Sequence, residues 1–157
     1  PNSAQGDIHF IEILEKMGCK TTKGENYLEL ESTGELNGIE IDMNSMIDTV
    51  QTLAVIASVA KGTTKITNVA NLKVKETNRI AALKNELTKC GISVEAGDDY
   101  LIIEGGKPKG VTISTYDDHR MAMSFAVLGL KVPGVKIENH TCVTKSFPEF
   151  WELFESL

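Results

Sequence analysis

The sequence predicts an α/β fold assembled from a repeated strand-helix-strand-helix-strand-strand (βαβαββ) unit, and three observations predict it. The segment Leu14 to Glu31, LEKMGCKTTKGENYLELE, aligns without a gap on Leu87 to Glu104, LTKCGISVEAGDDYLIIE, 73 positions later. The stretches beyond the two copies also correspond: GIEIDMNSMIDTVQTLAVIASVAKGTTKITNV from Gly38 resembles GVTISTYDDHRMAMSFAVLGLKVPGVKIENH from Gly110. Within each stretch, short alternating strand patterns exchange with longer apolar runs. That pattern points to layered α/β structure, and a period this long marks duplication of a supersecondary unit rather than a short-repeat solenoid.

Each element carries its own signal. The tail of one unit occupies 7–31: a helix stopped by Gly18, a strand, an acidic turn at Gly24-Glu25-Asn26, and a strand led by Tyr27. A full unit comes next at 38–104. It opens with the alternating strand from Gly38 and a helix over Ile47–Ala60 that is apolar almost all round, hence interior. A strand then leads to the polar segment NLKVKETNR, Asn71 to Arg79. The next helix places Ile80, Leu83 and Leu87 inward and Lys84, Glu86 and Lys89 elsewhere, and Gly91 stops it. A hairpin turning at Gly97-Asp98-Asp99 ends with the strand led by Tyr100. The head of a further unit runs over 110–157, with a second interior helix across Met121–Leu130. On it Ala122, Ala126 and Gly129 form a line of small residues. In the final helix Ser146 and Glu149 have capping-box spacing and Pro148 sits in the first turn, with Phe150, Leu153, Phe154 and Leu157 as its apolar stripe.

One domain is expected, since a chain of 157 residues is long enough to hide roughly 70% of its unfolded surface. The balance of 16 Lys+Arg against 22 Asp+Glu gives a net charge of -6, which argues against nucleic-acid or anionic-membrane partners. Cys19, Cys90 and Cys142 are an odd, scattered set, so neither a disulfide framework nor a zinc site is expected and a reducing, cytoplasmic setting fits. No apolar run approaches the ~18 residues of a membrane span, and PNSAQGDIHF lacks the plan of a signal peptide. Its abrupt start reads as a cut.

Three polar clusters stand where a strand or loop hands over to a helix, a place whose free N–H groups and dipole suit an anion. They are Asp48; Lys73, Lys75 and Arg79 around Glu76; and Tyr116 to Arg120, YDDHR, joined by Lys145 before the last helix. Each has an ordinary reading: helix caps for Asp48, Asp117 and Asp118, a solvated helix start for KVKETNR, a capping or structural role for His119. A metal site is not expected, because adjacent Asp117, Asp118 and His119 cannot all turn toward one ion. Phosphate-loop, dinucleotide and serine-hydrolase motifs are absent. The repetition favours function: both interior helices begin at a carboxylate, Asp48 and Asp118, and both following segments offer a lysine, Lys75 and Lys145. Facing one rim, Lys75, Arg79, Arg120 and Lys145 would clamp a strongly anionic ligand, with Glu76, Asp48 and His119 as proton-transfer candidates.

NLKVKETNR, YDDHRMAM and TKSFPEF resemble, in order and at suitable separation, three signature segments in the C-terminal part of the 5-enolpyruvylshikimate-3-phosphate synthase family. SAQGDIHFIEILEKMG and MIDTVQTLAV resemble it too. The resemblance implies an enolpyruvyl transferase domain, an inside-out α/β barrel, of which this chain holds about two of three units. It implies transfer of the enolpyruvyl group of phosphoenolpyruvate to the 5-hydroxyl of shikimate 3-phosphate, on the route to aromatic amino acids, without metal or organic cofactor. By position, Asp48 would hydrogen-bond the 5-hydroxyl and is a candidate for its proton, and Glu76 would exchange the proton at C3 of phosphoenolpyruvate. Lys75 and Asn71 would contact shikimate 3-phosphate, while Arg79, Arg120 and Lys145 would hold phosphoenolpyruvate. His119 would hydrogen-bond near Glu76 and the phosphate, and Asp118 would orient rather than react.

Asn78, Ser146 and Ile47 depart from the family's commoner acidic residue, threonine and proline. Length is the larger departure. The N-terminal part of the enzyme is missing, with its lysine-serine and glycine-rich segments, so half a site, inactive alone, is expected. Two alternatives stand beside this reading: the sister enolpyruvyl transferase acting on UDP-N-acetylglucosamine, and a non-catalytic anion-binding module of the same fold.

Overall fold

The structure is a computed structural model describing residues 3–157; the expectation of a cut at Pro1 and Asn2 falls outside them. After a 3-10 turn at Gly6–His9 come helix α1 (Phe10–Lys16) and the antiparallel strands β1 (Lys20–Lys23) and β2 (Leu28–Glu31). The next elements are β3 (Glu40–Asp42), α2 (Val50–Val59), β4 (Thr63–Thr67), α3 (Arg79–Lys89), β5 (Ser93–Ala96) and β6 (Leu101–Glu104). They form one four-stranded sheet of order β3-β4-β6-β5. Strands β3 and β4 are parallel across the α2 crossover, whereas β6 runs antiparallel to both β4 and β5. Finally β7 (Thr112–Ile113), α4 (His119–Lys131) and β8 (Lys136–Ile137) make a second parallel strand pair joined by a helix, before α5 (Phe150–Glu155).

Glycine chemistry explains the helix stops and hairpins. Gly18 and Gly91 take φ +116° and +85°, and behind Gly91 the Ile92 amide donates back to the Leu87 carbonyl at 3.0 Å. Such a left-handed residue ends a helix and satisfies its last carbonyls. In the two hairpins a β-carbon on Gly24 or Gly97 would collide with the ring of Tyr27 or Tyr100, so each tyrosine folds over its own turn.

The core lies between the sheet and the helices. Ile66 of β4 with Leu101 and Ile103 of β6 faces Leu53, Ala54 and Ala57 of α2 and Leu83 and Leu87 of α3, all with 0% exposure. Helix α2 is buried nearly all round, only Thr52 being exposed, as an interior helix requires. Close backbone approach shapes its end: a β-carbon on Gly105 would overlap the Ala60 carbonyl oxygen. Gly105→Ala is therefore expected to cost about 1–3 kcal/mol by overpacking. Gly106→Ala, whose β-carbon would stop 3.6 Å from Ile92, should be near neutral. Urea midpoints of the two variants check this.

Three expectations are corrected. Helix α4 is not interior on every side: Val127 and Leu130 are 51% and 59% exposed, and its outer face, with Val135, Trp151 and Phe154, lines a cavity of about 470 Å³. Ser146 forms no capping box, because the 3-10 turn His140–Lys145 runs up to it and its hydroxyl donates back to the Val143 carbonyl at 3.3 Å. Helix α5 begins only at Phe150, without a side-chain cap. Its inner face is Phe150, Trp151 and Phe154; Phe150 stacks on Phe154 at 5.6 Å, and the Trp151 indole donates to the His140 carbonyl, leaving Leu153 and Leu157 in solvent.

Candidate active site

Parallel pairing brings the ends of β3 and β4 to one edge, and those of β7 and β8 likewise. At each edge an asparagine turns the chain. Asn68, at φ +60°, donates from Nδ2 to the Asp42 carboxylate at 3.1 Å, and Asn139, at φ +43°, donates to Asp117 at 2.9 Å. Asparagine tolerates this left-handed backbone better than most residues, which is why it stands where the strand must turn abruptly. Past Asn68 the 3-10 turn Ala70–Val74 leads to Lys75 and Glu76; past Asn139 the turn His140–Lys145 ends on Lys145. On the companion strands, β3 leads to the 3-10 turn Asn44–Thr49 that carries Asp48, and β7 leads to Asp118, His119 and Arg120. Packing of α2 against α4 then sets the two edges side by side.

Arg79, only 1% exposed, is the hub where these segments meet. Its Nε donates to Asp118 at 2.7 Å, Nη1 to Asp48 at 3.2 Å, and Nη2 to Glu76 at 2.8 Å and to Asp118 at 3.3 Å. Asp118, fully buried, also caps α4 by accepting from the Arg120 and Met121 amides. Around this hub, Lys75 and Arg120 lie 3.6 and 3.5 Å from the Asp48 carboxylate, and Arg120 also donates to the Asp48 carbonyl. Lys145 and His119 lie 3.6 and 3.8 Å from Glu76. Asn71 sits exposed on the Ala70–Val74 turn, outside these contacts.

Burial pushes the Asp48 carboxyl up, but Arg120, Lys75 and Arg79 together outweigh it and hold it below the usual carboxylate value. Glu76 obeys the same logic. Burial raises it and Asp118 adds to that, yet its own backbone N–H, Arg79 and Lys145 prevail and keep it low. For His119 burial is the largest effect and depresses the imidazole below 6.5, helped by Lys145 and Arg120 against Asp118 and Glu76. The ring is thus neutral at pH 7, and its buried Nδ1 has no hydrogen-bond partner among the described residues. With three carboxylates, four cations and a neutral histidine, the cluster carries one net positive charge. The side chains of Lys75 and Lys145 are 34% and 55% exposed, so these two cations face solvent at the edge of the cluster.

These directions fix the sign of a pH effect. A carboxylate whose folded pKa is lowered stabilises the fold above its unfolded pKa and loses that contribution as pH falls through the folded value. Stability should therefore drop on acidification below about pH 4, the ordinary carboxylate range, and Asp48→Asn should flatten that drop. Urea midpoints between pH 7 and pH 3 measure it.

The ordinary reading of Asp48 as a helix cap does not hold, because it sits in the 3-10 turn before α2 with its carboxylate on cations. Asp118 does cap a helix and also pairs with Arg79. Asn78 caps α3 by accepting from the Ala81 amide. The sequence pattern puts Glu86 on the solvent side of α3, and this is corrected: it is 1% exposed, and accepts from Tyr116 Oη and the Ser114 amide. The available signal was spacing, since Arg79, Leu83 and Glu86 fall on one helical stripe. Among the described residues no three His, Cys, Asp or Glu side chains are gathered to hold a metal ion.

A buried guanidinium hub, a rim of cations paired with Asp48 and Glu76, and two parallel strand pairs carrying the loops belong to an α/β protein of the enolpyruvyl transferase fold. The enolpyruvyl transferase NikO of Streptomyces tendae shares that fold with a TM-score of 0.77 over 96% of this chain and 35% of its own, at 22% identity. An EPSP synthase from Acinetobacter baumannii superposes with a TM-score of 0.84 at 32% identity, over 93% of this chain and 38% of that one. The family model for EPSP synthase (3-phosphoshikimate 1-carboxyvinyltransferase) matches residues 1–154, and the chain belongs to that family. A 3-phosphoshikimate 1-carboxyvinyltransferase from Syntrophobacter fumaroxidans is 49% identical over 100% of this chain, and one from Methanoculleus marisnigri 48% over 97%. The chain spans 38% and 36% of those two relatives' lengths.

Proposed function

We propose that this chain supplies half of the active site that transfers the enolpyruvyl group of phosphoenolpyruvate to the 5-hydroxyl of shikimate 3-phosphate, releasing phosphate, in the cytoplasm. The convergence of Asp48, Glu76, His119, Arg120 and Lys145 around Arg79, from four separate segments, carries the reading. Asp48 accepts the hydrogen bond of the 5-hydroxyl and takes its proton as the oxygen attacks C2 of phosphoenolpyruvate. Glu76 delivers a proton to C3 and recovers it when the tetrahedral ketal phosphate expels phosphate. Its ionised ground state changes on substrate binding: anionic charge arriving at Lys145 and Arg79 offsets the cations that hold the carboxyl low, so its pKa rises toward the range of a general acid. Arg120, Lys145 and the one uncommitted Nη1 proton of Arg79 hold phosphoenolpyruvate. Lys75 and Asn71 contact shikimate 3-phosphate, and neutral His119 directs Nδ1 toward Glu76. Asp118, spent on Arg79 and the α4 cap, orients.

The partner is the missing N-terminal part of the same enzyme. In this reading 38–104 is a complete unit of a three-unit domain, 7–31 the tail of its predecessor and 110–157 the head of its successor. The exposed apolar face of α4 supports further polypeptide packing there. The test is phosphate release from the two substrates by the chain alone and with the N-terminal part supplied from the Syntrophobacter fumaroxidans relative. Turnover only in the reconstituted pair is expected. Ligand binding without turnover in that pair would favour the non-catalytic module, and turnover only with UDP-N-acetylglucosamine as acceptor would favour the sister transferase.

A further inference from the structure

The loop that delivers His119 and Arg120 is held from beneath by a carboxylate the chemistry does not use. Glu86 lies two turns along α3 from Arg79, on the same face, and both side chains are 1% exposed. Arg79 grips Asp118, while Glu86 grips the chain just before it: Oε2 accepts from the Ser114 amide at 3.1 Å and Oε1 from Tyr116 Oη at 2.8 Å. Lys89, one turn on, supplies the countercharge at 2.5 Å.

Between the two grips the backbone is strained. Tyr116 and Asp117 take φ +54° and +59°, consecutive left-handed conformations that L residues with β-carbons avoid. Such a bend persists only when its surroundings over-determine it, and here it is tied on one side by Glu86 and on the other by Asn139 to Asp117. Burying a carboxylate is unfavourable unless it is fully bonded, so an apolar residue would serve α3 better if packing were the only requirement. One anchor at Asp118 fixes where α4 begins. A second, at Ser114 and Tyr116, fixes how its first turn is rotated, and that rotation sets the aim of His119 at Glu76 and of Arg120 at Asp48.

We propose that Glu86 is a positioning residue, its buried carboxylate holding the Tyr116-Asp117 bend so that Arg120 and His119 meet phosphoenolpyruvate; this rests on the function proposed above. The test uses the chain with the N-terminal part supplied. Glu86→Ala should raise KM for phosphoenolpyruvate at least tenfold while the Kd of shikimate 3-phosphate, held from Lys75 and Asn71, changes less than twofold. Glu86→Gln should restore most of the loss, because its amide oxygen accepts from Ser114 and its NH2 donates to the tyrosine oxygen. Tyr116→Phe should give a smaller rise, a few-fold, and it decides the matter if Glu86→Ala does not fold. A fall in kcat with both substrate affinities unchanged, as loss of folded protein gives, or no change at all, would overturn the proposal. An NMR readout separates it from the reading it rests on. If the unsubstituted pair shows no turnover, the function fails. Faster exchange of the Ser114 amide together with displaced His119 ring signals in Glu86→Ala would then still support positioning, and unmoved signals would reject it.

Discussion

Glu76→Gln is expected to lower turnover of the reconstituted enzyme by about 10²- to 10⁴-fold, the usual worth of a positioned acid-base group, while leaving the fold intact. Glutamine keeps the shape and one hydrogen-bond acceptor for Arg79, whose guanidinium retains Asp118 and Asp48. It cannot exchange a proton at C3. The ketal phosphate therefore neither forms nor collapses at speed, and the defect should appear in kcat more than in either KM. Lys145→Ala should also cut turnover, but by a different route. Its side chain is 55% exposed, so stability should hardly move, and the loss should fall on phosphoenolpyruvate binding and on the charge that tunes Glu76. Wild-type rates from Glu76→Gln would remove it from the chemistry.

Asp118→Ala should have the largest effect on stability. The carboxylate is fully buried and accepts four bonds, two from Arg79 and two from the first turn of α4. Removing it leaves a buried guanidinium with one side unpaired, a loss of about 3–5 kcal/mol for a broken buried pair, and it also uncaps a helix. In a chain of this size each kcal/mol lowers Tm by about 2–4 °C, so a fall on the order of 10 °C is expected in thermal melts. A loss under about 1 kcal/mol would mean that the hub does not organise this end of the molecule.

The local geometry was legible because its causes are local. A glycine that must take positive φ, an acidic glycine turn between two strand patterns and an apolar run of helical length act over a few residues, and they marked Gly18, Gly91, both hairpins and α2. The repeat made Asp48, Lys75, Asp118 and Lys145 visible as matched positions. Glu86 was misplaced because helical spacing alone does not show which polar residue faces a neighbouring loop; its partners, Ser114 and Tyr116, lie far along the chain. The failed capping box at Ser146 has a different and local origin. The preceding 3-10 turn took the hydroxyl, and α5 began later than its pattern implied.

By itself the sequence determined the α/β alternation, the repeated unit and the residues able to bind an anion. Each of these comes from backbone preference or side-chain type within short segments. The tertiary structure decided that Arg79 would be a buried hub, that burial would keep His119 neutral, and that Glu86 would turn inward. Charge pairing and desolvation depend on distances between segments remote along the chain, and only packing of α2 against both α3 and α4 sets those distances.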